Sequence, residues 1–107
     1  MKYSIVIPCY KSSKTISKVV GLTMGEMQGK EAEFILVNDA SPDGGATFRV
    51  LSELAETYDN VTVIDLAKNA GQHNAVMAGL NYARGDYIIA MDDDMQTHPS
   101  QIHKLLE

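Results

Sequence analysis

Gly85-Asp-Tyr-Ile-Ile-Ala-Met-Asp-Asp-Asp-Met-Gln-Thr-His-Pro99 decides the fold. Its first half, Tyr87 to Met91, is apolar without alternation, which predicts a strand buried on both faces of a parallel sheet. The run ends in three consecutive carboxylates, Asp92, Asp93 and Asp94. The carboxyl end of such a strand is where open α/β sheets place ligands. Three acids crowded there repel one another and lose hydration, at a cost of several kcal/mol unless a cation shares them. Side chains alternate along a strand, so Asp92 and Asp94 converge while Asp93 points away. Two converging carboxylates form a hard-oxygen site suited to Mg²⁺ or Mn²⁺. A solvated acidic loop is the plainer reading of Asp-Asp-Asp, but the buried strand before it favours metal or substrate.

Outward from this stretch, strand-like and helix-like segments alternate. Tyr3 to Pro8 predicts strand one, ended by Pro8, which has no N–H to donate. Helical spacing of Ile16, Val19, Val20 and Met24 predicts a helix over 15–27, capped by Ser12 or Ser13 and left through Gly29. Glu33 to Asn38 predicts strand two, and Asp39 to Gly45 a turn-rich loop. A helix over 46–58 presents Phe48, Leu51, Leu54 and Ala55 on one face. Val61 to Leu66 predicts strand three. A helix over 72–84 packs through Ala75, Val76, Gly79, Leu80 and Ala83, with Gly85 as its left-handed C-cap. A last helix starts near Thr97 or His98, with Pro99 at its first position. Four strand–helix repeats specify an α/β fold, a parallel sheet with right-handed crossovers in spatial order 3-2-1-4. The order reverses between strands one and four, so the expected crevice lies between Pro8–Lys11 and Asp92–Gln96. Asp39 closes strand two beside it.

The 107 residues allow one domain, and 45% hydrophobic content excludes a disordered chain. No apolar run reaches the roughly 18 residues of a membrane helix. Net charge −5, with no basic stripe, argues against nucleic-acid binding. The single Cys9 excludes an internal disulfide and fits a reducing cytoplasm. Ser100 to Glu107 reads as a helix with no Gly or Pro stop, so residues 1–107 are expected to be part of a longer protein.

Four stretches carry a resemblance: Ser4-Ile-Val-Ile-Pro-Cys-Tyr10, Ile35-Leu-Val-Asn-Asp-Ala-Ser-Pro-Asp-Gly44, Asn69-Ala-Gly71 with Ala78-Gly79, and Ala83-Arg-Gly-Asp-Tyr-Ile-Ile-Ala-Met-Asp-Asp-Asp94. Together they resemble glycosyltransferase family 2, the inverting nucleotide-sugar transferases of Rossmann-like GT-A fold, a three-layer sandwich with helices on both faces of the sheet. Asn69 to Gly79 and Met91 to Pro99 are further similar to the branch that transfers sugars to polyprenyl phosphates. The resemblance implies that residues 1–107 are the nucleotide-sugar-binding half of a truncated GT-A domain, whose parent works at the cytoplasmic face of the membrane in envelope polysaccharide synthesis. It implies a UDP- or GDP-linked donor, a lipid-phosphate or glycan acceptor, and Mg²⁺ or Mn²⁺.

By the same resemblance, Pro8 and Tyr10 line the base pocket, Asp39 contacts base or ribose, and Asp92 and Asp93 belong to the nucleotide-sugar contacts. Asp94 ligates the metal, with Asp92 and Gln96 beside it. Lys11 stands where the family often has Asn, so at that contact the sequence departs from the family pattern. His73, His98 and His103 read as surface or capping residues, Cys9 as a small buried one. A phosphoacceptor signalling domain would need carboxylates after strand one, and Pro8-Cys9-Tyr10-Lys11 has none. A dinucleotide-dependent dehydrogenase would need Gly-x-Gly-x-x-Gly there. The rival of a different class is a non-catalytic nucleotide-binding or interaction fragment. An apolar fourth strand at a sheet edge also predicts self-association of this chain.

Overall fold

Two apolar runs form the centre of the sheet. In β1 (Tyr3–Cys9) and β2 (Ala32–Asn38) every residue is buried, as expected of parallel strands covered on both faces. The computed structural model describes residues 3–91. The chain continues from β1 through α1 (Ile16–Glu26), β2, α2 (Ala46–Thr57), β3 (Val61–Asp65) and α3 (Gln72–Leu80) to β4 (Tyr87–Ala90). All neighbouring strands are parallel, and their order is β3-β2-β1-β4, as read from the sequence. The path moves one way from β1 to β3 and then returns to β4. Crossovers of one hand therefore place α3 on the face opposite α1 and α2.

The core divides accordingly. Ile5, Ile7, Phe34, Leu36 and Ile89 pack with Ile16, Val19, Val20 and Leu51 on the α1/α2 face. Val6, Ile35 and Val37 face Ala75, with Val76, Leu80 and Ala83 at the margin. Helix α3 rests on the sheet through Gly79, where a Cβ would lie 2.6 Å from Val6 Cγ1 and 3.1 Å from Val37 Cγ2. Only a residue without a side chain permits that approach.

Several local expectations are corrected. Pro8 does not end the ladder: β1 pairs with β2 through Pro8↔Val37 and Cys9↔Asn38. The Tyr3 N–H and the Cys9 carbonyl face β2, whereas the Val6 carbonyl faces β4. By alternation the missing N–H of Pro8 faces the β4 side, past the last described pair Val6↔Ala90, so no rung toward β2 is lost. Ser12 contributes to the start of α1 with its carbonyl, which accepts from Thr15 N–H and Ile16 N–H, while its own hydroxyl is buried without a partner among the described residues. In α2 the buried positions are Thr47, Leu51 and Leu54, and Phe48 is 40% exposed. Thr47 takes the inward place because its hydroxyl accepts from Ser12 N–H.

The end of α3 and the start of β4 differ most. The helix closes at Leu80 with three tight turns, Asn81, Tyr82 and Ala83 donating back to Ala78, Gly79 and Leu80. Gly85 is therefore no helix cap, and its φ is not positive. Its reason is steric: a Cβ there would stand 2.7 Å from Ser4 N, Ser4 Oγ and Tyr3 C. Nor is β4 buried on both faces. Ile89 alone of its four residues is buried, because α3 packs over β1 and β2.

Beside Gly85 lies a buried carboxylate. Glu33 is 3% exposed. Its Oε2 accepts from the Ser4 hydroxyl at 2.6 Å and from Arg84 N–H at 2.7 Å, and Ser4 Oγ accepts from Gly85 N–H at 2.7 Å. The Arg84 guanidinium stands 3.5 Å from Oε1 but is largely exposed. Burial favours the neutral acid, yet the Ser4 and Arg84 donors outweigh it and hold Glu33 below its ordinary 4.5. A carboxylate lowered in the folded state contributes stability that is complete above the unfolded value and is lost as pH falls through the folded one. Urea unfolding across roughly pH 6 to 3 should therefore show wild type losing stability below about 4.5 more steeply than Glu33→Gln. Equal slopes would contradict the account.

Candidate functional site

At the carboxyl ends of β1 and β2 the chain turns sharply twice. Lys11 and Ala40 both have left-handed backbones, φ 52° and 51°. Such residues are costly by about 1–3 kcal/mol each when not glycine, and they cluster where geometry serves a ligand. The two turns are tied together: Lys11 N–H donates to Ser41 Oγ at 3.0 Å, and Ser41 Oγ donates to Asn38 Oδ1 at 2.7 Å. Asn38 in turn donates to Asp65 Oδ1 at 2.9 Å, which joins the rim of β2 to that of β3.

Asp39 joins this rim to α3. Its N–H donates to the Cys9 carbonyl at 2.9 Å. Its two carboxylate oxygens accept from Ala70 N–H at 2.7 Å and Gly71 N–H at 3.0 Å, and the Asn69 amide donates to its carbonyl at 3.2 Å. Asp39 is 3% exposed, so these bonds replace most of its hydration. Gly71, with φ +89°, is the N-cap of α3. The result is an open cleft of about 280 Å³ lined by Pro8, Cys9, Tyr10, Asp39, Asn69, Gly71 and Gln72. Its volume is slightly below the roughly 300–1,000 Å³ of sites that enclose a drug-sized ligand. Tyr10 supplies an exposed ring, with Lys11 Nζ 5.4 Å from its centroid. The amino end of α3 lines the same cleft through Gly71 and Gln72, and the positive end of the helix dipole there favours an anion.

Asp43, the second acid of this loop, has a structural duty. Its carboxylate accepts from Thr47 N–H and from the Thr47 hydroxyl, bonds that hold it below the ordinary carboxylate range and fix the start of α2.

The fold thus brings Pro8 and Tyr10 of the first motif and Asp39 of the second to one cleft. Asp92, Asp93, Asp94 and Gln96 lie outside the described residues. Among the described residues no three His, Cys, Asp or Glu side chains gather into a metal site. Asn69 and Gly71 of the third motif, with Gln72 at the start of α3, complete the lining and are absent from the site residues that the resemblance implies. Their signal was present as Asn-Ala-Gly directly ahead of a helix, a pattern of backbone freedom at a helix N-terminus.

A sequence model described as Glycosyl transferase family 2 matches residues 4–107. The undecaprenyl-phosphate 4-deoxy-4-formamido-L-arabinose transferase of Enterobacter sp. (strain 638) is 37% identical over 98% of this chain and 32% of its own length. The enzyme of the same description from Edwardsiella ictaluri (strain 93-146) is 37% identical over 97% of this chain, again 32% of its length. The chain thus spans about a third of these curated relatives. Among solved structures, S. aureus TarS 1-349 in complex with UDP superposes with TM-score 0.76 at 26% identity, covering 88% of this chain and 28% of that one. The mannosyltransferase PcManGT from Pyrobaculum calidifontis, in complex with GDP-Man and Mn²⁺, has TM-score 0.75 at 22% identity, covering 87% and 27%, and shares the fold.

Asp39→Asn keeps one acceptor and turns an amide N–H₂ toward the other backbone donor. The expected outcome in urea unfolding is a loss of about 1–3 kcal/mol. Unchanged stability would mean that the bonds to Ala70 and Gly71 do not hold the cleft.

Proposed function

The chain belongs to glycosyltransferase family 2, and on that premise we propose that it is the donor-binding part of an inverting transferase. The parent protein moves a sugar from a UDP- or GDP-linked donor to a polyprenyl phosphate. The observation that carries this reading is the cleft at the carboxyl rim, bounded by Asp39 and the amino end of α3. Pro8 and Tyr10 flank the base, and the remaining lone pairs of the Asp39 carboxylate accept from the base or the ribose. The amino end of α3 takes negative charge of the diphosphate. The curated relatives, named as undecaprenyl-phosphate transferases, support the acceptor, and the UDP complex of TarS supports the donor class.

In the reaction an acceptor oxygen bonds to the anomeric carbon as the bond to the diphosphate breaks on the opposite side. A phosphate oxygen is already ionised at neutral pH, so the polyprenyl acceptor needs no general base. Asp92, Asp94 and Gln96 carry oxygen donors of the hard kind that Mg²⁺ or Mn²⁺ takes, and they would hold such an ion. It would supply charge stabilisation for the leaving diphosphate. Asp93 is assigned to the nucleotide-sugar contacts by the family resemblance alone. No helix among the described residues is long and apolar enough to cross a membrane. We place the chain in the cytoplasm, with the parent at the membrane face that presents its lipid acceptor.

A second reading concerns this chain by itself. In this reading the chain by itself binds nucleotide without turning it over. Copies of it also pair along β4, whose Tyr87 and Ile88 are 59% and 48% exposed. Sedimentation velocity over a concentration series should show a rising mean mass, and a constant monomer would sink the pairing. For the donor site, UDP and GDP are titrated calorimetrically with and without Mn²⁺, on wild type and Asp94→Ala. One nucleotide should bind in a metal-dependent way that the variant loses. Absence of heat with both nucleotides would overturn the donor-site reading.

A further inference from the structure

The proposed chemistry uses the carboxyl rim of the sheet. The amino end holds an ionised, buried carboxylate that it does not use. Glu33 sits on β2, yet its partners belong to β1 and to the segment that enters β4: the Ser4 hydroxyl, Arg84 N–H and, through Ser4, Gly85 N–H.

This network meets β4 where that strand most needs a constraint. β4 has four residues, only Ile89 of them buried, and follows a connection with no hairpin to set its register. Its pairing runs from Tyr3↔Tyr87 to Val6↔Ala90, and Met91 N–H adds a bond to the Val6 carbonyl. A slip by one residue would reverse the face of every side chain. It would also bring Arg84 or Asp86 to the place of Gly85. Either carries a Cβ, which would meet Ser4 N, Ser4 Oγ and Tyr3 C at 2.7 Å. The N–H groups that reach Glu33 and Ser4 belong to the backbone and would be replaced by those of neighbours, so the steric stop at Gly85 selects the register and the hydrogen bonds from Arg84 and Gly85 hold the segment against that stop.

We propose that Glu33, Ser4 and Gly85 are positioning residues of the transferase: they lock β4 in register and so set the phase in which the chain reaches its acidic run, Asp92 to Asp94. The inference rests on the donor-site reading for its functional half only. Its structural half stands on the contacts above.

The test has two arms on the purified chain, with Glu33→Ala, Glu33→Gln and Ser4→Ala. In the first, amide hydrogen exchange is followed by NMR. Glu33→Ala should speed exchange at Met91 about tenfold while Asp39 and Leu66, bonded elsewhere in the sheet, keep their protection. Glu33→Gln should restore slow exchange, because an amide oxygen at the position of Oε2 still accepts from Ser4 and Arg84. Ser4→Ala, which leaves the carboxylate in place, should act like Glu33→Ala in milder form, and it decides the matter if Glu33→Ala does not fold. Unchanged exchange at Met91, or equal loss across the sheet, overturns the register lock. In the second arm, Mn²⁺-dependent UDP and GDP affinity should fall about tenfold in Glu33→Ala and recover in Glu33→Gln. Wild-type affinity in a variant whose β4 has loosened overturns the positioning role. A wild-type chain that binds neither nucleotide removes the donor-site reading and with it the functional half, while the exchange arm still decides the lock.

Discussion

Parallel strands cannot be joined by a tight turn, and each must be followed by a crossover that returns to the same end of the sheet. Most other features of this chain follow from that constraint. The crossovers are helices, and they cover the central strands on both faces. The sheet interior can then be continuous in Val, Ile, Leu and Phe, as β1 and β2 are. Every loop that leaves a strand begins at one rim, so residues from distant parts of the sequence meet there without long-range motifs. Pro8 and Tyr10 arrive after β1, Asp39 after β2, and Asn69 and Gly71 on the approach to α3.

Strand β2 carries a buried carboxylate near each end. Asp39 receives backbone N–H groups from Ala70 and Gly71, just before α3. Glu33 receives the N–H of Arg84, just after the turns that close α3. The third crossover is thus held at both of its ends by the same strand. Between these points the helix lies against the sheet through Gly79. The two carboxylates place α3 along the strand direction, and the glycine sets its height above the sheet. An N-terminus aimed at the cleft is the product of all three.

Strand order, helix placement and the meeting of Pro8, Tyr10 and Asp39 were legible because they depend on periodicity and on the topology of parallel sheets. The misreadings share a cause. Each concerns a residue whose role is set by a neighbour that is remote in sequence. Gly85 resembles a helix exit until Ser4 is beside it, 81 residues away. Pro8 resembles a strand end until the side its nitrogen faces is known. Phe48 belongs to an apolar face by composition, but Thr47 is drawn inward by Ser12, 35 residues earlier. Asn-Ala-Gly ahead of a helix marks the cleft residues Asn69 and Gly71, but the backbone N–H groups of Ala70 and Gly71 that hold Asp39 carry no residue-type signature of their own. Burial of β4 was overread because an apolar run reports what a strand can pack against, not whether a layer is present on each side.

The pairing of β1 with two partners also orders the assembly of the chain. Tyr3 meets Ala32 after 29 residues and Tyr87 after 84. By loop-closure entropy the longer connection costs about 1 kcal/mol more, and the short, half-exposed β4 returns little buried surface in exchange. The route of least entropic cost first completes β1, β2 and β3 with α1 and α2, and adds β4 to a finished edge. On that entropic ordering, the strand that leads into the acidic run docks last, onto an edge that β1, β2 and β3 have already made.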